Sequence, residues 1–160
     1  MQTVILFDLG SLKQKSITFS IHKFMNLPFN IKQENGKQYI FDSNRKKYVV
    51  LTPEEWVRQQ VLFYLISELN YPSALISVEK QIIVGTRKRR YDIVIYKNDQ
   101  PYIIVECKQE NENLNEQTLS QLLAYNSVLK VDYLCITNGK QSMTYDVNQA
   151  KWMNGFPAYL

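Results

Sequence analysis

The chain has 160 residues and a mass of 18.9 kDa, room for one domain with a real core and little space for a second. Its net charge of +4 and pI near 9.0 admit a polyanionic partner without requiring one; two cysteines and a single histidine, His22, exclude a His/Cys zinc site, so any metal must be held by oxygen. The longest uninterrupted apolar run, residues 61–66, is too short to span a bilayer, and the N-terminus lacks a basic segment followed by a long apolar core. With cysteines suited to a reducing compartment, a soluble, cytoplasmic protein with no membrane partner is expected.

In chain order, residues 1–24 show no clear period and read either as a peripheral N-terminal extension or as an upstream start-site choice, with one domain expected over 25–160. Residues 26–50 carry turn signals (Pro28, Asn35-Gly36, Ser43-Asn44) and predict irregular chain with one weak hairpin, Arg45, Lys46 and Lys47 forming a solvated charge run. Thr52-Pro53-Glu54-Glu55 is a helix start, with Thr52 as N-cap, Pro53 at N1 and Glu55 closing a capping box. That helix should run to about Leu69 on an apolar stripe of Val57, Val61, Tyr64, Leu65 and Leu69, with Glu54 facing solvent beside Arg58. Residues 74–84 read as a strand or a bent pair of strands. Gly85 opens a turn through the basic tract Arg87, Lys88, Arg89 and Arg90. A second helix is expected from about Asn115 to Leu129, with Leu119, Leu122, Leu123 and Asn126 on its inner row and Asn126 as a buried amide. A strand over 131–137, a type I′ turn at Asn138-Gly139, a returning strand to Val147 and an apolar tail from Trp152 complete the chain.

Between the two helices lies YDIVIYKNDQPYIIVECKQ, residues 91–109, which reads as a β-hairpin. With residues 97–101 as the loop and Tyr96 opposite Tyr102, Val94 stands opposite Ile104 and Asp92 opposite Glu106. Like charges directly opposite are destabilising, so something positive is expected between them. Lys108 falls on the face of Glu106, while Cys107 turns to the other; Cys107 and Cys135 are expected in the core. Asp and Glu on adjacent strands offer hard ligands for Mg²⁺, Mn²⁺ or Ca²⁺, and the Cys107 backbone carbonyl lies between them. A lysine beside such an ion can position or deprotonate a water at a phosphodiester. The competing account is plainer: Glu106 and Lys108 pair at a strand end, and Asp92 only terminates its strand.

The order αβββαβ, with Asp92 followed by Glu106-Cys107-Lys108, resembles the PD-(D/E)XK nuclease superfamily. Within it, IFDSNRKKYVVLTPEEWVRQ, RYDIVIY, VECK, QLLAYN and ITNG look like the N-terminal domain of type I restriction enzyme R subunits. The resemblance spans roughly residues 26–160. It implies an α/β (α+β) restriction-endonuclease-like core, a central mixed sheet flanked by helices, and Mg²⁺- or Mn²⁺-dependent endonuclease activity on DNA. Asp92 and Glu106 would hold the metal, and Lys108 would orient the attacking water. The superfamily's proline is replaced here by Tyr91. Its first-helix acidic residue matches Glu55, approaching the metal through water, against the capping-box role that accounts for Glu55 without catalysis. Gln121 and Tyr125, four apart, look like the QxxxY element of RecB-like members near the active site or DNA backbone, with Gln117 extending the row; the alternative is an exposed glutamine and a half-buried tyrosine. Arg87, Lys88, Arg89 and Arg90, just before Asp92, are placed to meet DNA phosphate or to form a solvated turn. R subunits couple such a domain to an ATP-driven motor, but no GxxxxGK[ST] loop occurs here, so a specificity or motor partner protein is implied. A catalytically quiet nucleic-acid-binding or assembly module on the same fold is the second function carried forward.

Overall fold

The computed structural model describes residues 27–114, 116–153 and 155–159, so the expected extension over 1–24 lies outside the described residues. The domain opens with an antiparallel meander, β1 (Ile31–Glu34), β2 (Lys37–Asp42) and β3 (Lys47–Val50), rather than irregular chain with one hairpin. The turn chemistry explains the difference. Asn35 and Gly36 both take positive φ, 50° and 72°, the conformation a two-residue type I′ hairpin demands. Arg45 also departs from the solvated reading: its backbone N–H and Nε donate to the buried carboxylate of Asp42.

Helix α1 (Pro53–Ser67) starts where expected, with the Thr52 hydroxyl accepting the Glu55 N–H at 3.0 Å. The other half of the capping box is not made: the Thr52 N–H goes to the Val50 carbonyl, which leaves the Glu55 carboxylate for other partners. Val57, Val61 and Leu65 are fully buried, and so, within a few percent, are Glu55, Arg58, Gln59 and Gln60. A 3-10 turn at Ser73–Leu75 leads into β4 (Ile76–Val78); a kink at Glu79, φ 55°, separates it from β5 (Gln81–Val84). The basic tract is not a turn. It is strand β6 (Arg87–Arg90), paired with β5 through the two-residue link Gly85-Thr86, in which Gly85 takes φ 61° at no Cβ cost.

The central hairpin is β7 (Ile93–Lys97) and β8 (Gln100–Cys107). Its loop is shorter than expected. Asn98 and Asp99, at φ 51° and 60°, make a two-residue turn, so Tyr96 faces Pro101 instead of Tyr102. A register shift after Ile95 leaves Tyr102 as an extra residue, a bulge next to a proline that cannot donate to the ladder. Beyond it the expected pairing returns, Val94 with Ile104 and Ile93 with Val105.

Helix α2 (Glu116–Leu129) then crosses over to β9 (Tyr133–Thr137), which pairs in parallel with β8. Asn126 is half-buried rather than buried, and its side chain caps the helix end by accepting the Val131 N–H at 2.8 Å; Tyr125 takes the inner position instead. Strands β10 (Ser142–Asp146) and β11 (Lys151–Met153) finish a six-stranded sheet of order β11-β10-β9-β8-β7-β4, antiparallel except at β8/β9. The link before β10 is not the expected type I′ turn. Residues 138–141 form a longer loop in which Asn138 Oδ1 accepts the Lys140 and Gln141 N–H groups and only Gly139 takes positive φ.

The strands β7 and β8 run between two apolar layers, which is why they read as nearly continuous apolar sequence. On one face Ile93, Ile95, Ile103, Val105, Cys107 and Cys135 pack with Val57, Val61 and Leu65 of α1. On the other, Val94, Ile104, Leu134 and Ile136 pack with Leu119, Leu122 and Tyr125 of α2. The tail docks through Phe156 and through the Tyr71 hydroxyl, which donates to the Pro157 carbonyl at 2.8 Å. Among the described residues no helix is long and apolar enough to cross a membrane.

Gly139 and Gly85 both have positive φ, but only Gly139 is confined: a Cβ there would lie 3.3 Å from Gln60 Oε1 and 3.5 Å from Val57 Cγ2, whereas Gly85 meets nothing within 4 Å. Urea unfolding of Gly85→Ala is expected to show a loss of about 1–2 kcal/mol from the left-handed backbone alone. Gly139→Ala should lose more, and an equal or smaller loss would show that α1 yields to the added methyl.

Candidate active site

The register of β7 and β8 decides what meets at their ends. With Ile93 opposite Val105, the next pair outward is Asp92 and Glu106, and both are about 95% buried. Asp92 Oδ2 accepts the Cys107 N–H at 2.7 Å, fixing the carboxylate against the neighbouring strand, and Oδ1 accepts Arg58 Nη2 at 2.6 Å. Glu106 Oε1 accepts Gln121 Nε2 at 2.6 Å and Lys108 Nζ at 3.2 Å. Its Oε2 is buried with no hydrogen-bond partner among the described residues. An orphaned buried oxygen is costly unless it is protonated or meets a cation. Burial, and after it the Asp92 charge, push the Glu106 carboxyl up to about 8, against the pull of Lys108. Burial works against the charge on Lys108, but Glu106 outweighs it and holds the ammonium above its ordinary value.

The second helix supports this pair from the side. Gln121 stands one turn before Tyr125; its Nε2 bonds both Glu106 and, at 3.0 Å, the Tyr125 hydroxyl, which in turn donates to the Arg90 carbonyl at 3.0 Å. A continuous hydrogen-bonded path therefore runs from Glu106 through α2 to the last residue of β6. Tyr125 is 2% exposed, so its hydroxyl serves this path instead of facing solvent. Gln117, a turn earlier, is exposed. Arg87, Lys88 and Arg90 are exposed and Arg89 is half-buried; Arg90 Nε pairs with Glu79 at 2.7 Å.

Glu55 belongs to the neighbourhood through other residues. Oε1 accepts Arg45 Nη2 and Gln59 Nε2, and Oε2 accepts Arg58 Nη1. Both oxygens are thus taken by protein donors, and Glu55 reaches Asp92 only by way of the Arg58 guanidinium. Arg58 itself, 5% exposed, also meets Glu79 at 2.9 Å and Glu54 at 3.4 Å, the loose Glu54 pairing expected from the helical spacing. Despite its burial, Asp92, Glu55 and Glu79 hold the guanidinium firmly charged. The central role of Arg58 escaped the sequence reading, although a signal was present: Val61, Leu62 and Leu65 follow it at helical spacings of three, four and seven, which puts a charge on the buried stripe.

Chemically, the site offers two hard carboxylates across one ladder, one oxygen of them unfilled, with an ammonium and a carboxamide on the other oxygen. That donor set suits a divalent cation bound by few protein ligands and completed by water or substrate, as Mg²⁺ prefers. Among the described residues no three His, Cys, Asp or Glu side chains form a ready-made metal cage.

Comparison with known proteins accords with this architecture. None of the curated proteins matches the sequence. Similar solved structures include a fragment of a protein assigned as an HsdR subunit of a type I restriction enzyme from Vibrio vulnificus YJ016, with a TM-score of 0.51 and 20% identity over 68% of this chain and 24% of that one. Another is a protein from Anabaena variabilis ATCC 29413 assigned as a nuclease of the DUF820 group, with a TM-score of 0.46 and 10% identity over 84% and 82%. The chain thus spans about a quarter of the length of the Vibrio fragment, and the likeness to it is one of fold. The central mixed sheet with a helix on each face is the architecture expected from the sequence. The sequence family described as type I restriction enzyme R protein N terminus (HSDR_N) matches residues 53–157, from the start of α1 through Asp92, Glu106 and Gln121 to the docked tail, and it is to this family that the chain belongs.

Proposed function

We propose that the domain hydrolyses DNA phosphodiester bonds as a Mg²⁺- or Mn²⁺-dependent endonuclease. The observation that carries this reading is Glu106 Oε2, buried without a partner beside Asp92. Asp92, Glu106 and the Cys107 backbone carbonyl would hold the ion. When bound, a divalent cation lowers the pKa of water and stabilises charge developing on the phosphate. The chain's own residues do the rest. Lys108, held as an ammonium by Glu106, donates hydrogen bonds and so orients the attacking water or a phosphate oxygen rather than taking a proton. Gln121 fixes Glu106 from the side through its other oxygen, which would leave Oε2 to meet the ion. The exposed members of the Arg87–Arg90 strand, with Gln117, lie on the surfaces nearest the ends of this network and would meet the DNA backbone. The family and the free, buried Cys107 and Cys135 support a cytoplasmic setting with a specificity or motor partner supplying recognition and movement.

One observation favours the second reading, a quiet binding module: Asp92 Oδ1 is already satisfied by Arg58. Cleavage assays decide between the two. Asp92→Ala, Glu106→Ala and Lys108→Ala should each lower Mn²⁺-dependent cleavage of plasmid by about 100-fold or more. Full activity in Lys108→Ala would remove that residue from the mechanism, and metal-independent DNA binding with no cleavage by the parent chain would establish the quiet module. Gln121→Ala should weaken cleavage less than loss of Glu106 itself, through a freed Glu106 side chain.

The raised Glu106 carboxyl makes a second expectation. Its pKa is about 8 in the fold against an ordinary 4.5, so between these values the native state holds a proton that the unfolded chain has lost. Metal-free stability attributable to Glu106 is therefore present below pH 4.5 and is lost as pH rises toward 8. Urea midpoints in EDTA should fall across that window, and Glu106→Gln, which cannot ionise, should flatten the fall. An unchanged slope in the variant would assign the proton elsewhere.

A further inference from the structure

Arg58 is the most heavily loaded side chain in the domain. Its Nη2 faces Asp92 Oδ1 at 2.6 Å, Glu79 Oε1 at 2.9 Å and Glu54 Oε1 at 3.4 Å, and Nη1 donates to Glu55. An Nη has two hydrogens, so these three acceptors overfill it, while the Nε of the same guanidinium is buried with no hydrogen-bond partner among the described residues. The group is placed for its charge more than for complete hydrogen bonding, and Asp92 is the acid of the central hairpin that it meets. The Asp92 carboxylate is shared between strand and helix: Oδ2 takes the Cys107 N–H and Oδ1 takes Arg58.

We propose that Arg58 is a positioning residue and resident counter-ion for Asp92, occupying Oδ1 until a divalent cation displaces it. The inference rests on the metal-dependent reading of Asp92 and Glu106. With no ion bound, the guanidinium makes the buried acids tolerable and keeps the Asp92 carboxylate aligned on the Cys107 N–H. An entering cation must then overcome both its repulsion and its hydrogen bond to Asp92. Ion uptake by the chain alone is weakened in consequence, so the Arg58 contact sets how readily the site loads.

The test is calorimetric titration of Mn²⁺ into the whole chain, without nucleic acid, for wild type, Arg58→Gln, Arg58→Lys and the double variant Arg58→Gln/Glu79→Gln. The double variant removes one charge of each sign, so it separates release of Asp92 Oδ1 from a change in net charge. Arg58→Gln and the double variant should both bind Mn²⁺ tighter than wild type by about 10-fold or more, and Arg58→Lys, which keeps the cation, should move back toward wild type. A variant that unfolds in EDTA and refolds on adding Mn²⁺ supports the proposal, because the ion has then replaced the guanidinium. One that stays unfolded with Mn²⁺ present overturns it. Wild-type binding with unchanged or weaker affinity in the double variant overturns this inference alone, whereas no Mn²⁺ binding by any of the four chains overturns the metal-dependent reading as well.

Discussion

Two carboxylates buried against each other on paired strands cannot both carry their charge without a cation nearby, and much of this domain is arranged around that constraint. Asp92 and Glu106 are brought together by the β7/β8 register, and each has found a different solution. Asp92 takes a guanidinium and a backbone N–H; Glu106 takes an ammonium and a carboxamide on one oxygen and leaves the other bare. The asymmetry has chemical content. Asp92 is oriented by donors on both of its oxygens, while burial and the neighbouring charge push the Glu106 carboxyl up.

The two helices divide the work of support. From α1 come Glu55, Arg58 and Gln59, which face inward although they are polar, and link the site to the Asp42–Arg45 corner of the meander. From α2 come Gln121 and Tyr125, which tie Glu106 to the end of the basic strand β6. A polar network of this size is tolerable inside a protein because nearly every member is satisfied; among the described residues the buried side-chain atoms without a hydrogen-bond partner lie on Arg58, Glu106 and, outside the network, Thr144. The first two of these belong to the site.

What the sequence made legible follows from the range of the interactions. The Thr52 cap, the alternation that puts Glu106 with Lys108, and the pairing of Val94 with Ile104 are local or near-local matters, and all stand in the structure. Arg58 meets Asp92 across 34 positions and Arg45 meets Glu55 across ten; no local pattern announces such a pair, and in sequence the charge run at Arg45 reads as solvated. The basic tract before Asp92 reads as a turn in sequence because arginine and lysine carry little strand preference, yet pairing to β5 and packing of that hairpin on α2 override it. Tyr125 and Asn126 exchanged their expected places for a similar reason: which of two adjacent polar residues turns inward depends on what waits there, and the Arg90 carbonyl awaited a hydroxyl.

The bulge at Tyr102 gives the hairpin a parity. A two-residue turn at Asn98-Asp99 would, in an unbroken ladder, carry the Tyr96–Pro101 register down to the far end and set Val105, not Glu106, across from Asp92. The single extra residue restores the even count on which the facing carboxylates depend. A surface loop is usually the part of a fold most forgiving of insertions and deletions. Here a one-residue length change on either side of the bulge would leave the loop itself comfortable and, by flipping the β8 side chains, dismantle a site at the opposite end of the strands.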